Sequence, residues 1–244
     1  MIAGDTDIIK QFANYTFLNS EHLTNLTNRP IVSIRRRLRK LHEEGLLQGV
    51  EVPFEPAVHF LTRKGANIAA SLGFQDEPSW VDSKSPLTIE HDVQITKFHL
   101  DIAAKLDLIF WEQRRGELQD HAGELSVNPD ALFGIRRGEL SYYFFLEVEQ
   151  GKETDYVRGE SSRMKKVRAY FEYANAKKHI ETWGIQNFRV IFLLPTWQRA
   201  KNFRDKVAEQ FPFRRFWITS MDYQDILGKI FLNPKDETLH SFLD

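Results

Sequence analysis

Residues 188–195, FRVIFLLP, have the pattern of a β-strand with almost no polar position. A strand covered on both faces gives such a continuous apolar run, whereas a strand with one solvated face alternates. We therefore expect VIFLL to be the central strand of a mixed sheet with helices on both faces. With 244 residues, 42% of them hydrophobic, the chain is long enough to bury this core and to form a second domain.

The N-terminal part of the chain predicts a smaller helical domain. The spacing of apolar residues predicts helices over residues 6–17 and 19–28, and Ser20 is the expected cap of the second. A basic helix follows them. This third helix begins at Pro30 and ends at Gly45, and two short strands follow it. The order of helix, helix, basic helix and hairpin is typical of a winged helix-turn-helix, whose third helix enters the major groove of DNA.

Residues 75–88 combine Pro, Ser and charge without periodicity, as linkers do. We therefore expect a winged-helix DNA-binding domain at residues 1–74 and an α/β domain at residues 89–244. The patterns of the second domain predict a helix, three strands, a helix, a strand, a helix and a last strand. The expected fold class is α+β with two domains, the second built on a mixed central sheet.

Basic residues cluster on a chain whose net charge is only −1. Residues 29–42 contain no acid, and the apolar spacing turns Arg36, Arg37 and Lys40 outward. Such a face suits a polyanion such as double-stranded DNA, although a solvated arginine face is the alternative. The expected DNA contacts are Ser33, Arg35, Arg36, Arg37, Arg39 and Lys40, with Arg63 and Lys64 as further phosphate contacts.

Two acids share one face at the end of the predicted strand LSYYFFLEVE, namely Glu147 and Glu149. Carboxylates about 7 Å apart on one strand face repel each other unless a positive charge lies between them, and a divalent cation bound by oxygens is one solution. Asp130 could supply a third ligand if a hairpin through RRGE pairs its strand with this one. The alternative is that the acids reach solvent or pair with nearby Lys and Arg side chains.

The following predicted helix carries basic residues toward this strand end. Arg163, Lys166 and Tyr170 share one helical face, so that Lys166 could reach the acids. The chain has no cysteine, which excludes disulfides and thiolate metal sites and leaves oxygen or imidazole as metal ligands. No apolar stretch approaches the ~20 residues that cross a bilayer, and the N-terminus lacks a signal-peptide layout. We expect a cytoplasmic protein without a membrane partner.

Several of these segments resemble known families. NPDALF followed by FFLEVEQGKE resembles the P-D and (D/E)-x-K elements of the restriction-endonuclease-like superfamily, whose core has the helix and strand order given above. The chain more widely resembles the replication-relaxation family of plasmid and mobile-element proteins. The segments that carry this resemblance are FLTRKGANIAASLG, IEHDVQITKFHLDIA, PDALF, FLEVEQGKE and KVRAYFEY. The resemblance spans about residues 6–195. It implies a winged helix joined to a restriction-endonuclease-like α/β domain.

The resemblance also implies roles for the acids. Asp130 and Glu147 would hold Mg²⁺, Glu149 would be a third ligand or orient water, and Lys166 would neutralise the scissile phosphate. In active nucleases of the superfamily a lysine commonly stands where this chain has Glu149, so the chain departs from the catalytic pattern at that position. His91 matches a histidine of the family and would be accessory to the acids, although a capping or packing role is the alternative.

Two functions follow as alternatives. The first is a Mg²⁺-dependent DNA nuclease or nickase that acts in replication or mobilisation of a plasmid, phage or other mobile element. The second is a non-catalytic replication accessory factor or transcriptional regulator, in which the acids form salt bridges with the neighbouring helix. Double-stranded DNA is the expected partner in both, with a homodimer or association with replication and mobilisation proteins left open.

Overall fold

A computed structural model describes the protein at residues 3–51, 56–74, 81, 86–113, 127–150 and 162–242. The chain divides into two compact units, Met1–Leu100 and Asp101–Asp244. Most of the predicted linker lies outside the described residues, and the predicted domain limits at residues 74 and 89 stay a prediction.

The first unit contains the predicted order of helix, helix, basic helix and hairpin. A short strand after the first helix, which the sequence did not predict, completes an antiparallel sheet of order β1-β3-β2. The last helix of the unit, α5, continues into the second unit. The elements are α1 (Ala3–Asn14), β1 (Leu18–Asn19), α2 (Ser20–Thr27), α3 (Ile31–Glu43), β2 (Leu47–Val50), β3 (Val58–Leu61), α4 (Arg63–Ser71) and α5 (Pro86–Lys105).

Local chemistry sets the helix limits of this unit. The Asn19 side chain accepts from the backbone N–H groups of Glu21 and His22, so that Asn19 caps α2 and the prediction of Ser20 as the cap is wrong. Helix α3 follows Pro30, which cannot donate a backbone hydrogen bond and therefore suits a helix start. The inward face of α3 packs against α1 and α4 in one buried apolar cluster.

The second unit is built on a mixed seven-stranded sheet of order β10-β9-β8-β7-β6-β5-β4. Strand β7 is the fourth of seven and is parallel to both neighbours, so the expected central position is confirmed. The elements after α5 are β4 (Asp107–Gln113), β5 (Ala131–Arg137), β6 (Leu140–Val148), α6 (Ser162–Asn175), α7 (Lys178–Trp183), β7 (Phe188–Leu194), α8 (Trp197–Gln210), β8 (Phe216–Ser220), β9 (Phe231–Leu232) and β10 (Leu239–His240).

Helices α6 and α8 cover one face of this sheet through Tyr170 and Phe203, which join Phe145 and Phe192 in the core. On the other side of β6, the ring of Phe144 contacts aromatic rings from β5, β8 and the C-terminal segment. A fully buried Phe side chain contributes roughly 1.5–3 kcal/mol, so these rings supply much of the stability of the unit. Helical cover of the second face stays a prediction.

The order helix, three strands, helix, strand is confirmed, with the short helix α7 inserted before β7. Three details differ from expectation. The strand that the pattern of LSVNPDALFGI predicts over residues 125–135 is β5, which begins at Ala131. Helix α7 was not predicted, and β8 is followed by two more strands. The missed elements have six residues or two residues, which is too short for a periodic pattern. None of the described helices is apolar enough over a sufficient length to cross a membrane.

Candidate nucleic-acid interface and acidic cluster

Helix α3 presents a continuous exposed face in the first unit. Val32, Arg35, Arg36 and Arg39 are all exposed, and they occupy positions i, i+3, i+4 and i+7 of the helix. Val32 is 76% exposed, although an apolar side chain of this size commonly packs inward. The face therefore combines three guanidinium groups with one apolar contact point, and we call it the α3 face.

Arg37 and Lys40, which the helical spacing places outward, lie outside the α3 face and pair with a buried acid, and their contact with DNA stays a prediction. Arg37 donates from Nη1 to Asp5 Oδ1 at 2.8 Å, and Lys40 donates from Nζ to Asp5 Oδ2 at 2.9 Å. Asp5, on α1, is 0% exposed. A buried carboxylate needs compensating charge, so these two basic residues hold α3 against α1. Arg36 is exposed as predicted, and the side chain of Lys40 is 44% exposed in spite of its ion pair, whereas that of Arg37 is 16% exposed.

The other predicted DNA contacts lie around the two ends of α3 and beside the hairpin. Lys64 donates from Nζ to the backbone oxygen of Glu44 at 2.7 Å, which satisfies a carbonyl at the C-terminal end of α3. Arg63 is exposed at the first position of α4, and Ser33 is half-buried in the first turn of α3. Their contact with DNA stays a prediction.

A histidine pair, which the sequence did not predict, joins α3 to the hairpin. His42 Nε2 and His59 Nδ1 are 2.8 Å apart. Burial lowers the pKa of His59 to about 4, with a further contribution from the charge of His42. Burial also lowers the pKa of His42. Both rings are therefore neutral at pH 7 and share one proton between the two nitrogens as donor and acceptor.

The three predicted acids meet at one end of the sheet in the second unit. The backbone N–H of Asp130 donates to Leu146 O at 2.9 Å, and the backbone N–H of Val148 donates to Asp130 Oδ2 at 2.7 Å. These bonds place Asp130 opposite the end of β6, as the predicted hairpin requires. The charge of Asp130 reaches Glu147 and contributes to its pKa.

The predicted contact between α6 and the acids is present. Lys166 donates from Nζ to Glu147 Oε2 at 2.7 Å and to Glu149 Oε1 at 2.8 Å, so its ammonium group bridges the two carboxylates. Arg163 donates from Nε to Glu149 Oε2 at 3.0 Å, and the Tyr170 hydroxyl donates to Glu147 Oε1 at 2.6 Å. We call these five residues, together with Asp130, the acidic cluster.

Burial dominates the electrostatics of the acidic cluster. Glu147 is 1% exposed, and burial raises its pKa to about 7, against the opposing effect of the Lys166 charge. Burial acts to lower the pKa of Lys166, but the charges of Glu147, Glu149 and Asp130 outweigh it and raise that pKa overall. Lys166 is therefore a fixed cation, whereas Glu147 exchanges its proton near neutral pH.

As arranged, the acidic cluster does not fit a divalent cation. Both oxygens of Glu147 and both oxygens of Glu149 already accept hydrogen bonds, and the ammonium group of Lys166 lies between them. Within the described part of the chain, Lys166 and Arg163 pair with these two carboxylates and already supply the positive charge that a metal ion would bring. Among the described residues, no three His, Asp or Glu side chains are placed to hold a metal ion.

His91 lies on α5 in the first unit, whereas the acids belong to the second unit. Its Nδ1 is 3.4 Å from Asp92 Oδ1, so the described contact of the ring is with its neighbour in the same helix. The accessory role of His91 stays a prediction.

A family model described as Replication-relaxation matches residues 10–187. No curated protein matches the chain significantly. Among solved structures, the restriction endonuclease FokI is similar to this chain with a TM-score of 0.31 and 10% identity, over 78% of this chain and 36% of that one. The chain thus spans about a third of that enzyme, and a likeness this weak assigns neither a fold nor an activity. Because the family match covers more than half of its length, the chain belongs to the Replication-relaxation family.

Proposed function

We propose that the protein binds double-stranded DNA through the α3 face and acts in replication or mobilisation of a mobile element as a non-catalytic DNA-binding factor. The observation that carries the proposal is the four-residue exposed face of α3. A helix with three guanidinium groups on one face suits the major groove, where arginine binds guanine edges and phosphates. Family membership supports the link to replication.

The surroundings of α3 support the same proposal. Asp5 engages Arg37 and Lys40, so these side chains fix the helix while Arg35, Arg36 and Arg39 remain exposed. A helix held in this way loses little conformational freedom when it binds, which favours affinity. Val32 supplies an apolar group of the kind that contacts a thymine methyl.

The test is fluorescence anisotropy with a labelled duplex of about 30 base pairs, long enough for several turns of DNA. The double variant Arg35→Ala/Arg36→Ala should weaken binding at least about tenfold and lower the slope of log affinity against log salt by about 1 for each lost phosphate contact. The matched control is Arg136→Ala/Arg137→Ala, which removes two adjacent exposed arginines from β5 in the second unit.

Equal affinities and equal salt slopes for the wild type and the α3 double variant would remove α3 as the contact. Equal losses in the α3 variant and the control would indicate a general charge effect, which would also contradict the proposal.

The nuclease remains the second candidate, because Asp130, Glu147 and Glu149 lie at the same end of the sheet. The proposal predicts that supercoiled plasmid stays intact with the wild-type protein in Mg²⁺ or Mn²⁺. Cleavage by the wild type that is lost in both Asp130→Ala and Glu147→Ala would establish a metal-dependent nuclease and overturn the non-catalytic assignment.

A further inference from the structure

A cavity of about 440 Å³ opens where β7 begins. Its walls are residues 140–143 of β6, residues 187–189 at the start of β7, and Arg214 and Arg215, which precede β8. Glu147 lies at the other end of β6, so this cavity is separate from the acidic cluster. Its volume falls within the range of small-molecule sites, roughly 300–1,000 Å³. We call it the arginine cavity.

Among the described residues that line the arginine cavity are three arginines and no carboxylate. Arg215 donates from Nη2 to the neutral side-chain oxygen of Asn187 at 3.3 Å, and its guanidinium group lies 4.9 Å from the centre of the Phe188 ring. Burial lowers the pKa of Arg215, which reflects the loss of water around its charge. An anion bound beside Arg214 and Arg215 would compensate this charge with paired hydrogen bonds.

Aromatic rings lie beside these cations. Tyr142 and Tyr143 are half-buried in the cavity wall. Tyr143 packs against the buried cluster that contains Phe188, the ring beside which the Arg215 guanidinium group lies. Tyr142 lies on the opposite face of the sheet, where the Arg189 guanidinium group is 5.7 Å from the centre of its ring. An aromatic ring that is partly exposed and adjacent to guanidinium groups offers a stacking surface for a planar, electron-rich group.

The backbone around the cavity is anchored. Arg215 O accepts from the backbone N–H of Val190 at 2.8 Å, which ties the segment before β8 to the central strand. The side chain of Asn233 donates to Arg214 O at 2.9 Å and to Phe216 O at 3.1 Å. The two arginines therefore extend from a fixed segment, so that a ligand need not order it on binding.

We propose that the arginine cavity binds a nucleotide unit, with its phosphate on Arg214 and Arg215 and its base against Tyr143. The ligand chemistry is a phosphate joined to an aromatic base, which a free nucleotide and a single DNA strand share. This site is additional to the α3 face and serves a different ligand. Three separate stretches of the chain contribute its walls, which is why no nucleotide-binding motif marks it in the sequence.

Isothermal titration of the full chain with dAMP, adenosine, inorganic phosphate and a thymidine decanucleotide tests the proposal. Binding of dAMP should exceed that of adenosine and of phosphate by at least about tenfold each, because each of these probes lacks one of the two recognised groups. A decanucleotide that binds at least about tenfold more tightly than dAMP identifies a single strand as the ligand, and equal affinities identify a free nucleotide.

Two variants locate the site. Arg214→Ala and Tyr143→Leu should each weaken dAMP binding at least about tenfold, and leucine at position 143 keeps an apolar side chain in the wall. Arg214 is exposed, and its described hydrogen bond uses the backbone oxygen, so that Arg214→Ala should keep the fold. The control Arg168→Ala removes an exposed arginine from α6 and should bind dAMP like the wild type.

The double variant Arg35→Ala/Arg36→Ala should also bind dAMP normally, which separates this site from the α3 face. Failure of dAMP and of the decanucleotide to bind would overturn the proposal. It would also be overturned by unchanged affinity in both cavity variants, or by phosphate binding as tightly as dAMP, which would indicate an anion site without base recognition.

Discussion

At the scale of single residues, Asp5 shows why side-chain roles on α3 could not be predicted from the helix alone. Helical spacing correctly separates the buried face of α3 from the rest, but it does not distinguish an exposed arginine from one paired with an acid 32 positions away in the chain, as Arg37 is. Charge pairing between distant segments has no local pattern. The contact of Lys166 with the acids was predictable because it depends on strand alternation and helical spacing together.

Asp5 and Asp7 form a matched pair for a test of this point. Asp5→Ala should lower the free energy of unfolding by about 3–5 kcal/mol, because it leaves the partly buried Arg37 without a counter-charge in the first unit. Asp7 is 51% exposed and pairs with Arg29, so Asp7→Ala should cost at most about 1 kcal/mol. Urea unfolding measures both values, and equal losses would contradict the role given to Asp5.

At the scale of helices and strands, the order of elements was largely predictable and their exact limits were not. β7 and α8 were recognised because an uninterrupted apolar run and a complete amphipathic repeat are strong signals. α7, β9 and β10 are too short to carry such a signal, and the positions of β9 and β10 depend on pairing at the edge of the sheet. The pairing of Asp130 with the end of β6 was predictable from the hairpin register, whereas the hydrogen bonds that occupy the carboxylates were not.

The packing of α4 on the hairpin depends on Gly65. A Cβ atom at this position would lie 2.1 Å from Leu46 O and 3.0 Å from Leu61 Cδ2. Gly→Ala within a helix ordinarily stabilises by about 0.5–1 kcal/mol, but here α4 must move away from the strand. Gly65→Ala should therefore destabilise the first unit by about 1–3 kcal/mol in urea unfolding. The control is Asn67→Ala, at an exposed position of α4, which should change stability by less than about 0.5 kcal/mol. An increase in stability of Gly65→Ala would contradict the close contact.

At the scale of the whole molecule, the two units should respond to acid in opposite directions. Burial lowers the pKa of His22, His59 and His99 in the first unit to about 4. Below pH ~6.5 these histidines are protonated in the unfolded chain but remain neutral in the folded protein, so the first unit loses stability as pH falls toward 4. For His22, which is 6% exposed, the loss should reach on the order of 3 kcal/mol at pH 4.

Glu147 should make the second unit gain stability over the same range, against a smaller opposing contribution from His179, whose pKa burial lowers. The pKa of Glu147 is raised to about 7, so its contribution is fully present below the ordinary carboxyl pKa and is lost as pH rises through 7. Lys166 stays protonated throughout. Urea unfolding at about pH 7.5 and about pH 5, followed by two-dimensional NMR of methyl groups, resolves the units. On going from about pH 7.5 to about pH 5, the urea midpoint of the first unit should fall relative to that of the second. His22→Gln should reduce the pH dependence of the first unit, and Glu147→Gln that of the second. Parallel shifts of the two midpoints would contradict the assignment.

The ammonium group of Lys166 between Glu147 and Glu149 has a consequence for how the second unit depends on its surroundings. A cluster of acids that is neutralised by a bound metal ion becomes more stable as the concentration of that ion increases, and a chelator destabilises it. Here the compensating charge is covalently part of the chain. The unit should fold, melt and refold alike in EDTA and in millimolar magnesium.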